Sequence, residues 1–388
     1  MKLQYAFLFF TMTLVSSRCL ANTFTFLNVS GSDTIDGSDL LINLPPINTD
    51  YSVLRYLMPK DIQKPQVDVS GAVEILTNTS FNNHALVNAS LARTELNGVF
   101  SFNNYIHFYA DIGVKSKNQQ LILNSGFMTI GDLNHSPFYS SIGNNYIPFG
   151  SYVSDVLDVI LPIPVSVGAI QANTINLGYH SQNESGISAN IYSYQPKVKT
   201  KQQTINAGIN LDYFTVIKKI KIKTGISYVN NLSNSLGASP LFENNYCLQH
   251  AVPGADIRLA LSYQSYALHL EYLTSLRDYA KTDMSYNRLP AKPATIHLEF
   301  SKDLESGLHP SSVAIGVSHS YQALALNIPK QRFYTSYSIY LRKHLNLAFE
   351  LNLDKNYAAN DSAMAAGKVI QENGKQVITG FMTLSYAF

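Results

Sequence analysis

The sequence lacks tryptophan and contains only two cysteines, Cys19 and Cys247. Charged residues are also scarce, at 14% of the chain, with 28 Lys plus Arg against 26 Asp plus Glu. This balance lacks the clustered basic excess that a nucleic-acid groove requires, so no nucleic-acid partner is expected. Two cysteines allow one disulfide at most, and loss of Cys19 with a leader peptide would leave Cys247 without an internal partner.

Long apolar runs are missing from the chain after its first residues. A helix that crosses a bilayer needs about 20 consecutive apolar residues, and no segment after residue 21 is of that kind. The chain nevertheless contains 25 tyrosines and 19 phenylalanines. Low charge with short, aromatic-rich apolar segments is typical of membrane strands, which point alternate side chains to lipid and to a lumen.

The N-terminus has the layout of a secretory signal peptide. Lys2 precedes an apolar segment at 5–15, and small residues follow up to Ala21. This apolar core is too short for a permanent membrane helix, so we predict a signal peptide at 1–21. The alternative is a lipoprotein cut before Cys19, but Arg18 argues against it because small residues are preferred at that place.

The last residues of the chain alternate in the manner of a membrane strand. Phe388, Tyr386, Leu384 and Met382 fall on one face, whereas small polar residues occupy the other face apart from Phe381. A terminal phenylalanine resembles the signal that the barrel assembly machinery recognises. We therefore expect that machinery to be a partner through Phe388, with membrane lipid and lipopolysaccharide around the apolar face.

Comparable segments follow one another through the chain at the length of roughly 10 residues that a tilted membrane strand needs. We predict sixteen of them, and an even number suits a bacterial barrel. They lie at 66–77, 85–96, 99–111, 120–131, 138–148, 168–181, 186–196, 203–215, 218–230, 254–264, 266–276, 293–302, 310–321, 332–342, 344–354 and 375–388. The predicted fold is all-β: a transmembrane antiparallel barrel at 66–388 in a Gram-negative outer membrane, after a short periplasmic extension at 22–65.

The connections between these segments alternate in length. Short joins are predicted at five places: Asn97-Gly98, 182–185, Val216-Ile217, Ser265 and Lys343. Asn-Gly favours a two-residue hairpin because both residues take positive φ readily. The long joins are 149–167, 231–253, 277–292 and 355–374. Short periplasmic turns and longer outer loops are characteristic of outer-membrane barrels.

The connection at 149–167 is apolar and is interrupted by Pro162 and Pro164. An apolar loop of this length should avoid water, so we expect it to fold into the lumen or against a neighbouring loop. We predict that it narrows a pore, with solute contacts at Tyr146, Phe149, Tyr152, Asp155 and Asp158. The alternatives are a loop that only latches onto the wall or a second subunit, and aromatic residues that belong to a membrane girdle.

Two strands carry matching polar pairs, His269 with Glu271 and His297 with Glu299. A hairpin between these strands would place Glu271 opposite His297 and His269 opposite Glu299. We predict a polar patch in the lumen. It could be a salt-bridge ladder that rigidifies the wall or a pH-sensitive or iron-contacting patch, and we assign no metal site.

Lysines cluster at one predicted periplasmic turn. Lys219, Lys221 and Lys223 alternate with isoleucines and are predicted to form a basic rim. The rim is either simply solvated or an electropositive exit for anionic solute. No nucleophile elbow, zinc-protease, Walker or dinucleotide motif occurs, so neither an enzyme nor a cofactor is expected.

Residues 126–139 read GFMTIGDLNHSPFY, and residues 142–152 read IGNNYIPFGSY. This resembles the GF(I/M)TIGNLxxSPxY and xGQxYVPFGxY pattern of Legionella-type outer-membrane siderophore porins, the LbtU-like family. The likeness is best at about 65–195, and the family's glutamine is replaced by Asn144 or Asn145. The resemblance implies a 16-stranded barrel that takes up ferric siderophore without a TonB-type plug.

Pattern and resemblance together predict an outer-membrane, porin-like receptor that passes or captures a small solute, namely ferric siderophore. Two other functions fit the same pattern. One is a general diffusion porin without preference for iron, and the other is a closed structural or adhesive barrel whose outer loops bind a partner.

Overall fold

A computed structural model describes residues 62, 64–81, 87–115, 120–151, 154, 162–201, 205–242, 246–304 and 309–388. The predicted signal peptide, and nearly all of the extension at 22–65, lie outside these residues. No helix in the described part of the chain is both long and apolar enough to span a membrane.

The described residues are organised mainly as β-strands, in keeping with the alternation in the sequence. In chain order they are β1 Gln66–Ser80, β2 Val87–Ser101, β3 Ile106–Lys115, β4 Gln120–Ile130, β5 Phe138–Tyr146, β6 Gln171–His180, β7 Gly186–Tyr194, β8 Lys199–Thr200, β9 Asn206–Ile217, β10 Ile220–Val229, β11 Cys247–Leu248, β12 Gly254–Tyr263, β13 Tyr266–Ser275, β14 Met284–Tyr286, β15 Leu289–Pro290, β16 Ala294–Leu304, β17 Ser311–Tyr321, β18 Gln331–Arg342, β19 Leu345–Lys355, β20 Ser362–Ala365, β21 Lys368–Gln371 and β22 Gln376–Ala387. The α-helix is α1, Ile163–Gly168.

Sixteen of these strands form one closed barrel, in the order β1-β2-β3-β4-β5-β6-β7-β9-β10-β12-β13-β16-β17-β18-β19-β22, with β22 paired to β1. Every neighbouring pair is antiparallel, as short hairpin connections require. The predicted fold class and strand number are therefore confirmed. Each predicted segment overlaps its own barrel strand, and the segment at 99–111 also overlaps the end of β2.

The two faces of the barrel wall differ because strand side chains alternate. On β9, Ile209, Leu211 and Tyr213 are exposed on the outer face, while Asn210 and Asp212 are buried on the inner face. The same pattern recurs around the ring, so the outside is an apolar surface that water would solvate poorly. A closed barrel pairs all of its strand edges and can present this apolar surface to lipid. The chain is therefore an outer-membrane barrel of the Gram-negative type.

Two predicted turns were wrong. Asn97 and Gly98 lie within β2, where Asn97 accepts a hydrogen bond from the Tyr109 hydroxyl at 2.7 Å, and the turn follows at 102–105. The alternation of inward and outward side chains continues past Asn97-Gly98. The hydrogen bond from Tyr109 to Asn97 therefore outweighs the local preference of Asn-Gly for a turn. The turn between β9 and β10 is Lys218-Lys219, with φ of 49° and 73°, rather than Val216-Ile217. The β-branched pair resists positive φ, so it stays in the strand.

The long connections at one end of the barrel, which we take as its outer end, pack together. A single hydrophobic cluster, here called the outer core, contains buried residues from all six connections between β5 and β22. The connection between β13 and β16 and the connection between β19 and β22 also pair as a four-stranded sheet, β15-β14-β20-β21, here called the outer sheet. Outer loops that are far apart in sequence thus form one packed layer.

Candidate functional site: a constriction in the barrel lumen

The outer connection at 147–170 is called the inner loop, and its described residues, 147–151, 154 and 162–170, enter the barrel. It leaves β5 and returns to β6, and its helix α1 contacts β13, β16 and β17. Those three strands stand five to eight places around the ring from β5 and β6, so the inner loop crosses the lumen to the far wall. The Gly150 amide donates to Ser227 Oγ on β10 at 3.0 Å on the way across.

The prolines of the inner loop begin the helix rather than interrupt it. Pro162 is the N-cap of α1 and Pro164 lies in its first turn, where a missing N–H costs no hydrogen bond. Ile163 is fully buried within the outer core. At the end of α1, a Cβ on Gly168 would lie 2.2 Å from Leu273 Cδ1, so any larger residue there would require the Leu273 side chain on β13 to move.

Two carboxylates of the far wall hold the inner loop in place. The Ser151 amide donates to Glu271 Oε1 at 2.7 Å, and the Ser154 hydroxyl donates to Glu299 Oε2 at 2.7 Å. Glu271 and Glu299 are buried, on β13 and β16 respectively. Both acids are buried, so these two hydrogen bonds tie the loop to the wall.

The predicted register of the polar pairs is confirmed. Glu271 lies opposite His297 and His269 opposite Glu299. The contacts differ from a simple cross-strand ladder, because His297 Nδ1 is 2.8 Å from Ser318 Oγ on the next strand. His297 Nε2 is 3.7 Å from Glu299 Oε2 on its own strand. The four residues share the inner face, and Glu271 and Glu299 are the ones that contact the inner loop.

Glu299 is also bonded to a tyrosine that the sequence reasoning did not select. The Tyr334 hydroxyl donates to Glu299 Oε2, and its ring stacks on His297 with centroids 6.0 Å apart. Ser154 donates to the same carboxylate oxygen. The phenol and the serine hydroxyl therefore satisfy one buried acid from two sides, which fixes its rotamer.

A second inner-face cluster was missed entirely. Arg258 donates to Asp256 Oδ1 at 2.6 Å, to Asp212 Oδ1 at 2.6 Å and to Asn210 Oδ1. Lys223 Nζ lies 3.8 Å from Asp212 Oδ2. In sequence these residues are ordinary alternating polar positions, and only strand pairing over β9, β10 and β12 brings them together. A buried guanidinium with two carboxylates needs such complete pairing.

The predicted solute contacts lie in different surroundings. Tyr146 is half-buried and packs against the small cluster of Val165 and Ala169. Phe149 is fully buried in the outer core. Tyr152, Asp155 and Asp158 lie outside the described residues.

The predicted basic rim divides between a turn and the wall. Lys219 lies in the turn between β9 and β10, while Lys221 and Lys223 alternate with Ile222 and belong to the inner face. Within the described ranges, no group of three or more His, Cys, Asp or Glu side chains is arranged to hold a metal ion.

The fold and the loop within it define a class, that of outer-membrane barrels of the porin type. The solved structures bear this out: an anion-selective porin from Comamonas acidovorans aligns with a TM-score of 0.56 at 12% identity, over 84% of this chain and 100% of that one. The outer membrane channel DcaP of Acinetobacter baumannii aligns with a TM-score of 0.53 at 10% identity, over 86% and 100%. At such identities the likeness concerns the fold.

The sequence relatives are more specific. A UPF0422 protein of Coxiella burnetii is 28% identical over 367 residues, which are 88% of this chain and 78% of that protein. The UPF0422 protein lpl2888 of Legionella pneumophila is 26% identical over 369 residues, 85% of this chain and 69% of that one. No family model matches the chain.

Proposed function

We propose that this protein is a porin-like channel that passes a selected small solute across the outer membrane. The observation that carries the proposal is the path of the inner loop, which crosses the lumen and is tied to Glu271 and Glu299 on the far wall. A loop held across a barrel lumen narrows the passage, and polar wall groups next to it can select among solutes. This favours selective passage over general diffusion.

The solute we propose is a ferric siderophore. Its support is the resemblance at residues 126–152 to the siderophore porins, together with the sequence relatives in Legionella. Phe149 is fully buried in the outer core, so its side chain is not available to a solute. The proposed contacts are therefore Tyr146 at the end of β5 and, on the inner loop, Tyr152, Asp155 and Asp158. The barrel assembly machinery is a proposed partner during biogenesis, through Phe388.

A planar bilayer experiment tests the channel. The purified barrel is expected to give small, discrete current steps, because the inner loop leaves little free lumen. A variant in which residues 152–161 are replaced by a short Gly-Ser linker should give larger steps, since the crossing segment is shortened. Equal conductance of the two proteins would contradict a constriction at the inner loop.

A closed surface scaffold is the second candidate, and one observation favours it. The outer core joins six outer connections into one hydrophobic layer, and its tyrosines Tyr279 and Tyr357 are almost inaccessible to water. Such a layer could seal the barrel. Complete absence of current from correctly folded protein, checked by its heat-dependent gel mobility, would favour the scaffold and reject the channel.

Growth tests the iron assignment separately. A strain that lacks the gene and the same strain with the gene restored are compared with ferric siderophore as the only iron source. Slower growth of the deletion strain, reversed by the wild-type gene, is expected. If the deletion alters uptake of sugars and leaves iron uptake unchanged, the channel proposal stands and the siderophore proposal fails.

A further inference from the structure

The charges of this nearly neutral chain are sorted by sign in the folded barrel. The inner face of the barrel strands carries eleven described carboxylates: Asp68, Glu74, Glu95, Asp111, Asp212, Asp256, Glu271, Glu299, Asp303, Glu350 and Asp354. The cationic side chains described on the same face are Lys221, Lys223, Arg258 and Arg332. Arg93 and Lys115, whose backbones pair with Glu74 and Gln120, add two more basic positions, which leaves the acidic positions in the majority. The wall of the lumen is therefore strongly acidic.

The imbalance is greatest deep in the wall. Seven of the inner-face carboxylates are buried, namely Glu74, Asp111, Asp212, Asp256, Glu271, Glu299 and Glu350, whereas Arg258 is the buried cation among the described side chains of that face. Two of the described cations form ion pairs with inner-face carboxylates. Arg258 pairs with Asp212 and Asp256, and Arg332 is bonded through two nitrogens to Asp354 at 2.8 Å.

The sequence of the inner loop is acidic as well. Its sequence, residues 147–170, contains Asp155 and Asp158 and has no lysine, arginine or histidine. Positive charge is concentrated instead in the outer connections. Residues 195–205, 230–253, 276–293, 322–330 and 356–375 together contain ten Lys and Arg against five Asp and Glu. Those cations are available to lipopolysaccharide phosphates and are screened by salt, while the wall charges act within a confined, poorly screened lumen.

We infer that the lumen prefers cations to anions, and that the solute it passes is a neutral or positively charged complex rather than an anionic one. The inference rests on the proposed channel function. A ring of carboxylates in a pore raises the local concentration of cations and repels anions, as in other cation-selective channels. The fold does not decide this property, because the Comamonas barrel of similar fold is anion-selective.

Reversal potentials across a bilayer with a KCl gradient test the inference. Wild-type protein is expected to favour potassium over chloride, with a permeability ratio of the order of tenfold. The double variant Asp111→Asn, Glu350→Gln should bring the ratio several-fold closer to one, since it removes two carboxylates from the inner face. Both new amides can keep their hydrogen bonds with Asn124 and Asn352, so the variant should fold like the wild type. Lys302→Gln, on the outer face over Tyr266, is the matched charge control and should leave the ratio unchanged.

The outcomes separate the two proposals. A wild-type ratio at or below one would overturn the charge preference and leave the channel intact. A ratio that is above one but is unaffected by the double variant would overturn the assignment to these carboxylates. Absence of any current would reject the channel, and the preference with it.

Discussion

Gly71 and Phe388 close the barrel. Each main-chain N–H donates to the carbonyl oxygen of the other residue at 3.0 Å, at the junction of β1 and β22. A Cβ at position 71 would lie 2.5 Å from Phe388 Cζ and 2.8 Å from the Glu95 carbonyl oxygen. The phenylalanine ring therefore occupies the space that a side chain at residue 71 would need, and glycine at this position permits the closing contact.

Substitution of this glycine should weaken the closed barrel. We expect Gly71→Val to lower the free energy of unfolding by about 1–3 kcal/mol, because the added carbons collide with the ring and with main chain. The measurement is the urea midpoint of the gel-mobility shift between folded and unfolded barrel. Gly98→Val on β2 is the control, since an added Cβ there meets nothing within 4 Å. Equal midpoints for the two variants would refute the steric account.

The Arg258 cluster predicts a larger effect on stability. Arg258→Met would leave Asp212 and Asp256 buried without their guanidinium, at a cost of about 3–5 kcal/mol. The chain has no tryptophan, so unfolding in urea is best followed by gel mobility or tyrosine fluorescence. Adding Asp212→Asn and Asp256→Asn to Arg258→Met should recover part of the loss. A single variant as stable as the wild type would show that the cluster contributes little.

The anchors of the inner loop can be loosened without changing side-chain size. Glu271→Gln with Glu299→Gln should weaken the bonds to Ser151 and Ser154 by about 1 kcal/mol each, because each substitution replaces one of the two acceptor oxygens by an NH2 group. The expected result in single-channel records is more frequent switching to higher conductance. Asp68→Asn removes an inner-face charge at the start of β1, beside Gln66, and serves as the control. Identical records from both proteins would mean that the anchors do not hold the loop.

We expect the stability of the outer sheet, β15-β14-β20-β21, to depend on pH through Asp361. Burial raises the pKa of Asp361, but hydrogen bonds from Asn287, Tyr286 and the Ala358 amide outweigh it, so the pKa lies below its ordinary value of 3.8. A lowered pKa means that the carboxylate stabilises the folded form fully above pH about 4 and less as the pH falls through the lowered value.

We therefore expect the backbone amides of β14 and β20 to lose protection from hydrogen exchange as the pH falls below about 4, after correction for the intrinsic exchange rate. Asp361→Asn should not show this loss of protection in acid. Asp278→Asn, which alters an exposed carboxylate of the same loop layer, should still show it. Persistence of the loss in Asp361→Asn would assign it to another group.

Much of the wall could be predicted from the sequence because strand alternation is a local property. The pairing of His269 with Glu299 and of Glu271 with His297 followed from alternation and one hairpin, and the structure confirmed both. The Asn97-Gly98 turn failed for the opposite reason. A tertiary contact from Tyr109 holds Asn97 in the wall, and no local rule contains that contact.

The candidate site was predictable in part. The apolar, proline-containing inner loop was recognisable as a segment that should avoid water, and its described residues do pack against the outer core and the far wall. Its partners were not recognisable, since Tyr334, Arg258 and Asp212 look like any other inner-face residue in sequence. Their roles depend on strands that are neighbours in space and far apart along the chain.

The sequence by itself determined that the strands alternate, that they are sixteen in number and that one side of each suits lipid, because a period of two is written into neighbouring residues. Only the tertiary structure decided how acidic and basic side chains are distributed between the lumen and the outer loops. A composition of 28 basic and 26 acidic residues is almost neutral, yet closure of the ring turns the inner face acidic and gathers lysines and arginines in the outer loops. Ring closure and loop crossing join residues over long sequence distances, and those contacts have no local signal.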